Sequence, residues 1–317
     1  MPANPYPAGA LPSRFRRERV LLVGCGDVGL RVARGLAPRV RLYALTSSPQ
    51  RVALLREERI TPLRGDLDRP ASLRRLAGIA TRVVCLAPPP PEGWGDPRTR
   101  ALTQVLRLRA PPASFVYGST SGVYGDCGGA RVAESRLPSP RTPRASRRLA
   151  AEQAVRFLGR SRARVRVSIL RIPGIYAPDR EGGTPRERLE KGIPVLAEPD
   201  DVYTSHIHAD DLARACALAL WRGRSQRVYN ASDDTTLKMG DYFDLAARLY
   251  GLAKPPRVSR DTAQSALPLM LLSFMSESRL LDNARMKREL RLALRYPTVE
   301  QGLPGAGGRS RAKGATT

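Results

Sequence analysis

The sequence predicts an α/β protein, a doubly wound parallel sheet with a small C-terminal lobe, and two observations carry that expectation. Short apolar runs alternate with longer amphipathic ones between residues 19 and 171, the order produced when parallel strands are joined by crossover helices. The first apolar run is followed at once by Gly24-Cys25-Gly26-Asp27-Val28-Gly29, which opens an amphipathic segment. No repeat of solenoid length interrupts the alternation.

Taken in order, the apolar runs 20–23, 40–45, 60–63, 82–86, 114–117 and 166–170 read as strands. The amphipathic stretches between them, 28–36, 70–76, 98–108 and 145–158, read as helices. Beyond Arg171 the rhythm loosens into Pro- and Gly-broken segments, with helices expected at 185–191, 209–221, 239–250 and 282–292 and a short strand at 227–230. Residues 1–18 and 304–317 lack periodicity and read as disordered tails. The expected organisation is a dinucleotide-binding unit over 19–175 and a substrate lobe over 176–303, interleaved with the sheet.

Composition narrows the class. The 317 residues are 42% hydrophobic, ample for a core, and the longest strongly apolar stretch, 267–275, is far shorter than the roughly 20 residues of a membrane span. A soluble, cytoplasmic protein without membrane contact is expected. Four dispersed cysteines (Cys25, Cys85, Cys127, Cys216) predict reduced thiols, with neither a disulfide framework nor structural zinc. The 54 basic residues against 29 acidic leave a formal +25. Only five are lysines, and the arginines are spread along the chain with aromatics at 5%, unlike the concentrated basic element of a nucleic-acid reader. A solvated arginine surface with nonspecific polyanion contact follows.

The glycine motif points to a dinucleotide. Gly24 permits a tight turn, Gly26 lets the backbone approach a pyrophosphate, and Gly29 lets the helix pack against the strand, while Asp27 and Val28 open a helix whose free N–H groups face the phosphates. A ribose-binding carboxylate is expected about 20 residues further on, yet no acid lies between Asp27 and Glu57. Thr46-Ser47-Ser48-Pro49-Gln50-Arg51 instead offers hydroxyls and a guanidinium suited to a 2′-phosphate, which favours NADP over NAD. Arg51 could equally begin a solvated helix face. Asp66 and Leu67 follow the third strand, where a carboxylate can accept from an adenine amino group or serve as a helix N-terminal acid. Ala87 and Pro88 begin a stiff proline rim after the fourth strand.

These residues resemble the extended short-chain dehydrogenase/reductase family, in its NAD-dependent epimerase/dehydratase branch, over residues 19–302. The resemblance is carried by the Gly24 motif, Gly65-Asp66-Leu67, Gly118-Ser119-Thr120-Ser121-Gly122-Val123-Tyr124-Gly125, Leu170-Arg171-Ile172-Pro173-Gly174-Ile175-Tyr176 and His206-Ile207-His208-Ala209-Asp210-Asp211-Leu212-Ala213. It implies a Rossmann-like fold and a small-molecule substrate, and assigns Thr120 to the substrate oxygen. It also implies a Tyr acid/base and a Lys four residues later that stabilises its phenolate. Alignment on Glu152 puts Arg144 and Arg148 at those two positions, and no tyrosine lies between Tyr124 and Tyr176. Tyr250 and Lys254 have the spacing but stand far from this context.

The chain is therefore similar to atypical members with an eroded catalytic pair. Tyr124, Tyr176, Tyr203 and His208 are the remaining proton carriers to consider, and Arg148 could hold a ribose or phosphate. The expected activity is NAD(P)-dependent hydride transfer at a carbonyl or carbinol carbon in a monomer or homodimer. The alternative is a non-catalytic NAD(P)-binding sensor or scaffold, with nucleic acid as a partner its arginines could contact. Nine arginines against Glu152 between residues 141 and 166 suit an anionic substrate or a solvated face equally. His206 and His208, with Asp210 beside them, invite a metal reading, but no further ligand at a defensible spacing appears, so no metal is expected. Residues 276–279 read as a cap for the helix at 282–292.

Overall fold

Every residue of Val20–Val23 is buried, which a strand achieves only in the middle of a sheet covered on both faces. The computed structural model describes residues 17–160, 165–268, 272 and 275–304, so the two tail assignments, 1–18 and 304–317, fall almost wholly outside the described residues. In chain order the first half runs β1 (Arg19–Val23), α1 (Asp27–Leu36), β2 (Arg41–Thr46), α2 (Arg51–Glu57), β3 (Thr61–Arg64), β4 (Arg82–Cys85), α3 (Pro97–Val105), β5 (Ser114–Thr120), β6 (Arg131–Val132), α4 (Pro143–Arg160) and β7 (Arg166–Ile172). The second half runs β8 (Gly174–Tyr176), α5 (Arg186–Glu190), β9 (Val195–Leu196), β10 (His206–His208), α6 (Ala209–Arg222), β11 (Arg227–Asn230), α7 (Met239–Tyr250), β12 (Arg257–Val258), α8 (Arg260–Ala266), β13 (Leu280–Leu281), α9 (Ala284–Leu290) and α10 (Val299–Gly302).

The main sheet has the order β11-β7-β5-β4-β1-β2-β3, parallel throughout. Chain order reverses between β1 and β4, and the crevice beyond the carboxyl ends of those strands is where such sheets bind ligands. One face is covered by α1, α6 and α9 through Val32, Leu36, Leu212, Cys216, Leu220 and Met286. The other is covered by α3, α4 and a 3₁₀ turn at Pro70–Leu76 through Leu73, Leu102, Val105, Val155 and Leu158. A third cluster, with Leu189, Val195, Leu196, Met239 and Phe243, belongs to the small lobe. Three two-stranded parallel pairs, β8 with β10, β9 with β12 and β6 with β13, stitch the later segments together.

Several boundaries differ from the sequence reading for local reasons. Helix α4 starts at Pro143 rather than 145, because proline is tolerated at the first helical position and the Thr142 hydroxyl accepts from Ala145 N at 3.2 Å. Residues 70–76 form a 3₁₀ turn rather than an α-helix. Helix α9 is shorter than 282–292, since Arg291 takes a left-handed conformation (φ 52°) and ends it. Residues 276–279 do not cap it: Asn283 occupies the cap position, and Ser278 Oγ accepts from Tyr203 N at 3.0 Å.

Part of the arginine excess has a structural use. Arg82 Nη1 donates to Leu220 O (2.6 Å) and Arg166 Nη1 to Trp221 O (3.1 Å), two terminal carbonyls of α6, while Arg222 Nη1 donates to Leu290 O (2.9 Å) at the end of α9. Cations at helix C-termini satisfy orphan carbonyls and oppose the macrodipole, each worth about 0.3–1 kcal/mol. Among the described residues no helix is long and apolar enough to cross a membrane.

Candidate active site

The glycine loop occupies the crevice beyond β1. Gly24 has φ +85°, and a Cβ there would stand 2.3 Å from Ala87 N, where the loop crosses the end of β4. A Cβ on Gly29 would lie 3.0 Å from Gly24 O, so the first turn of α1 packs directly on the loop. At Gly26 a Cβ would meet nothing within 4 Å. Gly26 caps α1 without a side-chain acceptor, so no capping side chain meets the first N–H groups of the helix, the groups that favour an anion at a helix start.

Arg51 lies across this loop, its Nη2 donating to Cys25 O at 2.6 Å, so its guanidinium faces the crevice rather than a solvated helix surface. Burial pushes the Cys25 thiol up to about 11 against the opposing pull of Arg51. Thr46 is turned inward, its Oγ1 accepting from Ser48 N at 3.2 Å, whereas Ser47 is exposed. Asp66 forms a turn after β3, its Oδ1 accepting from Asp68 N at 3.0 Å, and Leu67 and Ala87 pack beside the second core cluster. Pro88 is exposed, and Arg98 ties the proline rim to the β3 turn by donating to Pro88 O and Pro89 O (both 3.3 Å) and to Asp68 (Nε 2.6 Å). Val28 is buried in α1. Asp27 is neutralised by Arg31 Nε (3.0 Å) and Arg180 Nη1 (2.8 Å), the second reaching over from the segment after β8.

At the carboxyl end of β5 stands Thr120, its Oγ1 accepting from Gly122 N at 3.2 Å. Thr120 lines a cleft of about 520 Å³ between the sheet and the small lobe, together with Arg144, Tyr176, Arg188, Tyr203 and Glu277. The Arg144 side chain makes no hydrogen bond or ion pair among the described residues. Partial desolvation and the neighbouring Arg148 and Arg147 guanidiniums hold its pKa below the usual arginine value. Arg148, one turn further on, is engaged with the protein: its Nη1 donates to Gly118 O (2.8 Å), Ala87 O (3.2 Å) and Tyr117 Oη (3.2 Å), pinning the ends of β4 and β5 together.

Two of the tyrosines considered from the sequence are committed elsewhere. Tyr124 is buried, donates to Asn230 Oδ1 at 2.8 Å, carries Arg171 over its ring at 4.5 Å and does not line the cleft. Tyr176 reaches the cleft wall but is only 2% exposed and donates to Thr298 O at 3.2 Å. Burial, with Asp233 beside it, raises its pKa far above an ordinary tyrosine's, so it is a poor proton source. The two histidines are core residues. His206 stacks on Tyr242 (4.3 Å) and burial pushes its pKa down to about 4, while His208 stacks on Tyr296 (3.7 Å) and caps α6 by accepting from Asp210 N. Among the described residues no group of three or more His, Cys, Asp or Glu is placed to hold a metal.

Beneath the site lies a buried polar network. Arg171 Nε and Nη2 grip Glu152 Oε1 (3.0 Å) and Oε2 (2.8 Å), Ser119 Oγ donates to Glu152 Oε1 (2.7 Å), and the pair is 2% and 1% exposed. Sequence reasoning used Glu152 only as an alignment point and missed the lobe's contribution of Arg180, Arg188, Glu277 and Arg279. Arg188, Glu277 and Arg279 are far from the strand motifs in sequence, and although Arg180 follows Tyr176 by four residues, only the fold brings the four to one cleft.

The model of the NAD dependent epimerase/dehydratase family matches residues 20–232. A functionally unknown conserved protein from Silicibacter pomeroyi DSS is 31% identical, with a TM-score of 0.76 over 90% of this chain and 96% of that one. UDP-glucose 4-epimerase from Thermotoga maritima, solved with UDP-glucose, is 17% identical with a TM-score of 0.73 (90% and 96% covered). UDP-glucuronic acid 4-epimerase from Bacillus cereus, in complex with NAD, is 18% identical with a TM-score of 0.70 (90% and 96% covered). At such identities these two epimerases share the fold. No curated protein matches the chain. The family match runs from Val20 in β1 to Ser232 just past β11 and so includes every strand of the seven-stranded sheet; the chain belongs to the NAD dependent epimerase/dehydratase family.

Proposed function

We propose that the protein is an atypical NAD(P)-dependent oxidoreductase or epimerase that prefers NADP(H) and acts on a small molecule held between the sheet and the lobe. The observation that carries this reading is the open face of Gly26 at the uncapped start of α1, with the Arg51 guanidinium laid across the same loop. Pyrophosphate would sit against Gly24, Gly26 and the first turn of α1, and Arg51 with Ser47 would take a ribose 2′-phosphate. Asp66, Leu67, Ala87 and Pro88 would border the adenine and the rim. The complexes of the two epimerases with NAD and with UDP-glucose support a nicotinamide cofactor and a small-molecule substrate.

When bound, such a cofactor supplies or removes hydride at a carbonyl or carbinol carbon. The Thr120 hydroxyl is placed to donate to the reacting oxygen, and Arg144, at the cleft where the resemblance puts the acid/base tyrosine, would stabilise negative charge on it. A guanidinium keeps its proton at any useful pH, so Arg144 does not shuttle protons, and Tyr203 on the cleft lining or water supplies the proton instead. Arg148 keeps the floor rigid. A second reading, a cofactor-binding sensor without turnover, is favoured by that same Arg148, whose Nη1 is taken by three protein acceptors.

Calorimetry tests the cofactor reading. NADPH is expected to bind at least tenfold more tightly than NADH, and Arg51→Ala to remove most of the difference by weakening NADPH alone, consistent with a charge-assisted contact worth about 1.5–3 kcal/mol. Equal affinities in the wild type would refute the preference.

A further inference from the structure

The wall that the lobe presents to the cleft carries a cation without a counter-ion. The side chain of Arg188, on α5, makes no hydrogen bond or ion pair among the described residues; its Nε and Nη2 are closed off from solvent with no acceptor. Its partner is the Phe243 ring, whose centroid is 4.4 Å from Cζ. Burial lowers its pKa, only Tyr242 acts in the other direction, and among the described residues no carboxylate pairs with it. The cleft's other lobe arginines are matched: Arg180 pairs with Asp27 and Arg279 with Glu277.

Three more residues that line the same cleft each carry a polar atom buried without a partner: Thr204 Oγ1, His206 Nδ1 and Glu277 Oε1. Native interiors leave few such atoms, and a set of them on the lining of a ligand-sized cavity marks where an occupant completes the hydrogen bonding. The chemistry of the set is selective. A guanidinium fork matches a carboxylate or a phosphate ester. A carboxylate oxygen at Glu277 accepts from a hydroxyl and repels a second anion. Thr204 and neutral His206 exchange hydrogen bonds with hydroxyls.

We infer that the cleft takes an anionic polyol, with its single carboxylate or phosphate ester on Arg188 and its hydroxyls on Thr204, His206 and Glu277. This rests on reading the cleft as the substrate site and names the class of substrate that site selects. Arg188 is then the residue that sets specificity, and the face it stacks on, Phe243, orients its guanidinium across the cleft wall.

Isothermal titration of the full chain with glucose 6-phosphate, glucuronate and glucose tests it, with and without NADPH present. At least one charged sugar should bind at least tenfold more tightly than glucose. A preference for glucose 6-phosphate identifies a phosphate ester, and a preference for glucuronate identifies a sugar acid. Arg188→Met should erase the preference and Arg188→Lys keep part of it, while the melting temperature of Arg188→Met stays level or rises because an unbalanced charge has been removed. Three results would each overturn the inference: no preference among the probes, a preference that survives Arg188→Met, or an Arg188→Met protein that melts well below wild type. Should NADPH fail to bind while the charged-sugar preference holds, the cofactor reading falls and this inference stands.

Discussion

Glu152→Gln is expected to destabilise the protein by about 3–5 kcal/mol, measured from denaturant midpoints by circular dichroism. The substitution conserves shape but strips the counter-charge from Arg171, which is 2% exposed and already has Nη1 without a partner. An uncompensated buried guanidinium, rather than a lost hydrogen bond, sets the size of the effect. The network extends the damage, because Arg171 also lies over the Tyr124 ring and Tyr124 holds Asn230, whose Nδ2 donates to Val132 O and Asp282 O. Replacing both partners, Glu152→Met with Arg171→Met, should recover most of the loss, since a buried pair contributes little over apolar groups of similar volume. A single-variant loss below about 1 kcal/mol would mean that solvent or a rearranged acceptor reaches Arg171.

Gly26→Val is expected to lower cofactor affinity about 100-fold or more, some 2.7 kcal/mol, without changing the melting temperature by more than a few degrees. Gly26 has extended backbone angles that valine adopts, and its Cβ direction is empty, so the fold tolerates the side chain. The branched group would then fill the space where a pyrophosphate meets the start of α1. Gly24→Ala provides the contrast: its positive φ and the 2.3 Å approach to Ala87 N make it a folding defect first. A Gly26→Val protein that folds and still binds NADPH at wild-type strength would remove the glycine loop from the cofactor site.

The parts of this molecule that the sequence discloses are those encoded within a few residues of one another. Strand β1, the glycine loop and α1 are contiguous, and their pattern marks both the sheet and its ligand crevice. The proposed replacement of the acid/base pair rests on equally local residues, because Arg144 and Arg148 sit one turn apart on α4. Roles that depend on distant partners stay hidden. Tyr124 looks available in its loop, but its hydroxyl is bound by Asn230, 106 residues away. The two histidines look like ligands, but each is packed against a tyrosine ring from α7 or the segment before α10. Residues 276–279 resemble a helix cap, yet Glu277 and Arg279 form an ion pair lining the cleft. Arg188 carries no sequence signal at all, since only tertiary structure reveals that its charge is unmatched.

The most direct test of the central claim, an intact cofactor cradle joined to a site whose acid/base pair has become two arginines, is the rate of NADPH consumption with activated aldehydes and ketones. Wild type is expected to be slow, and Arg144→Tyr combined with Arg148→Lys to raise the rate by about 100-fold, the lower end of what a positioned general acid contributes. Adding Thr120→Ala should abolish the gain, because the oxygen is no longer held. A wild type that already turns over briskly, with Thr120→Ala silent, would place the catalytic groups outside this helix and contradict the account.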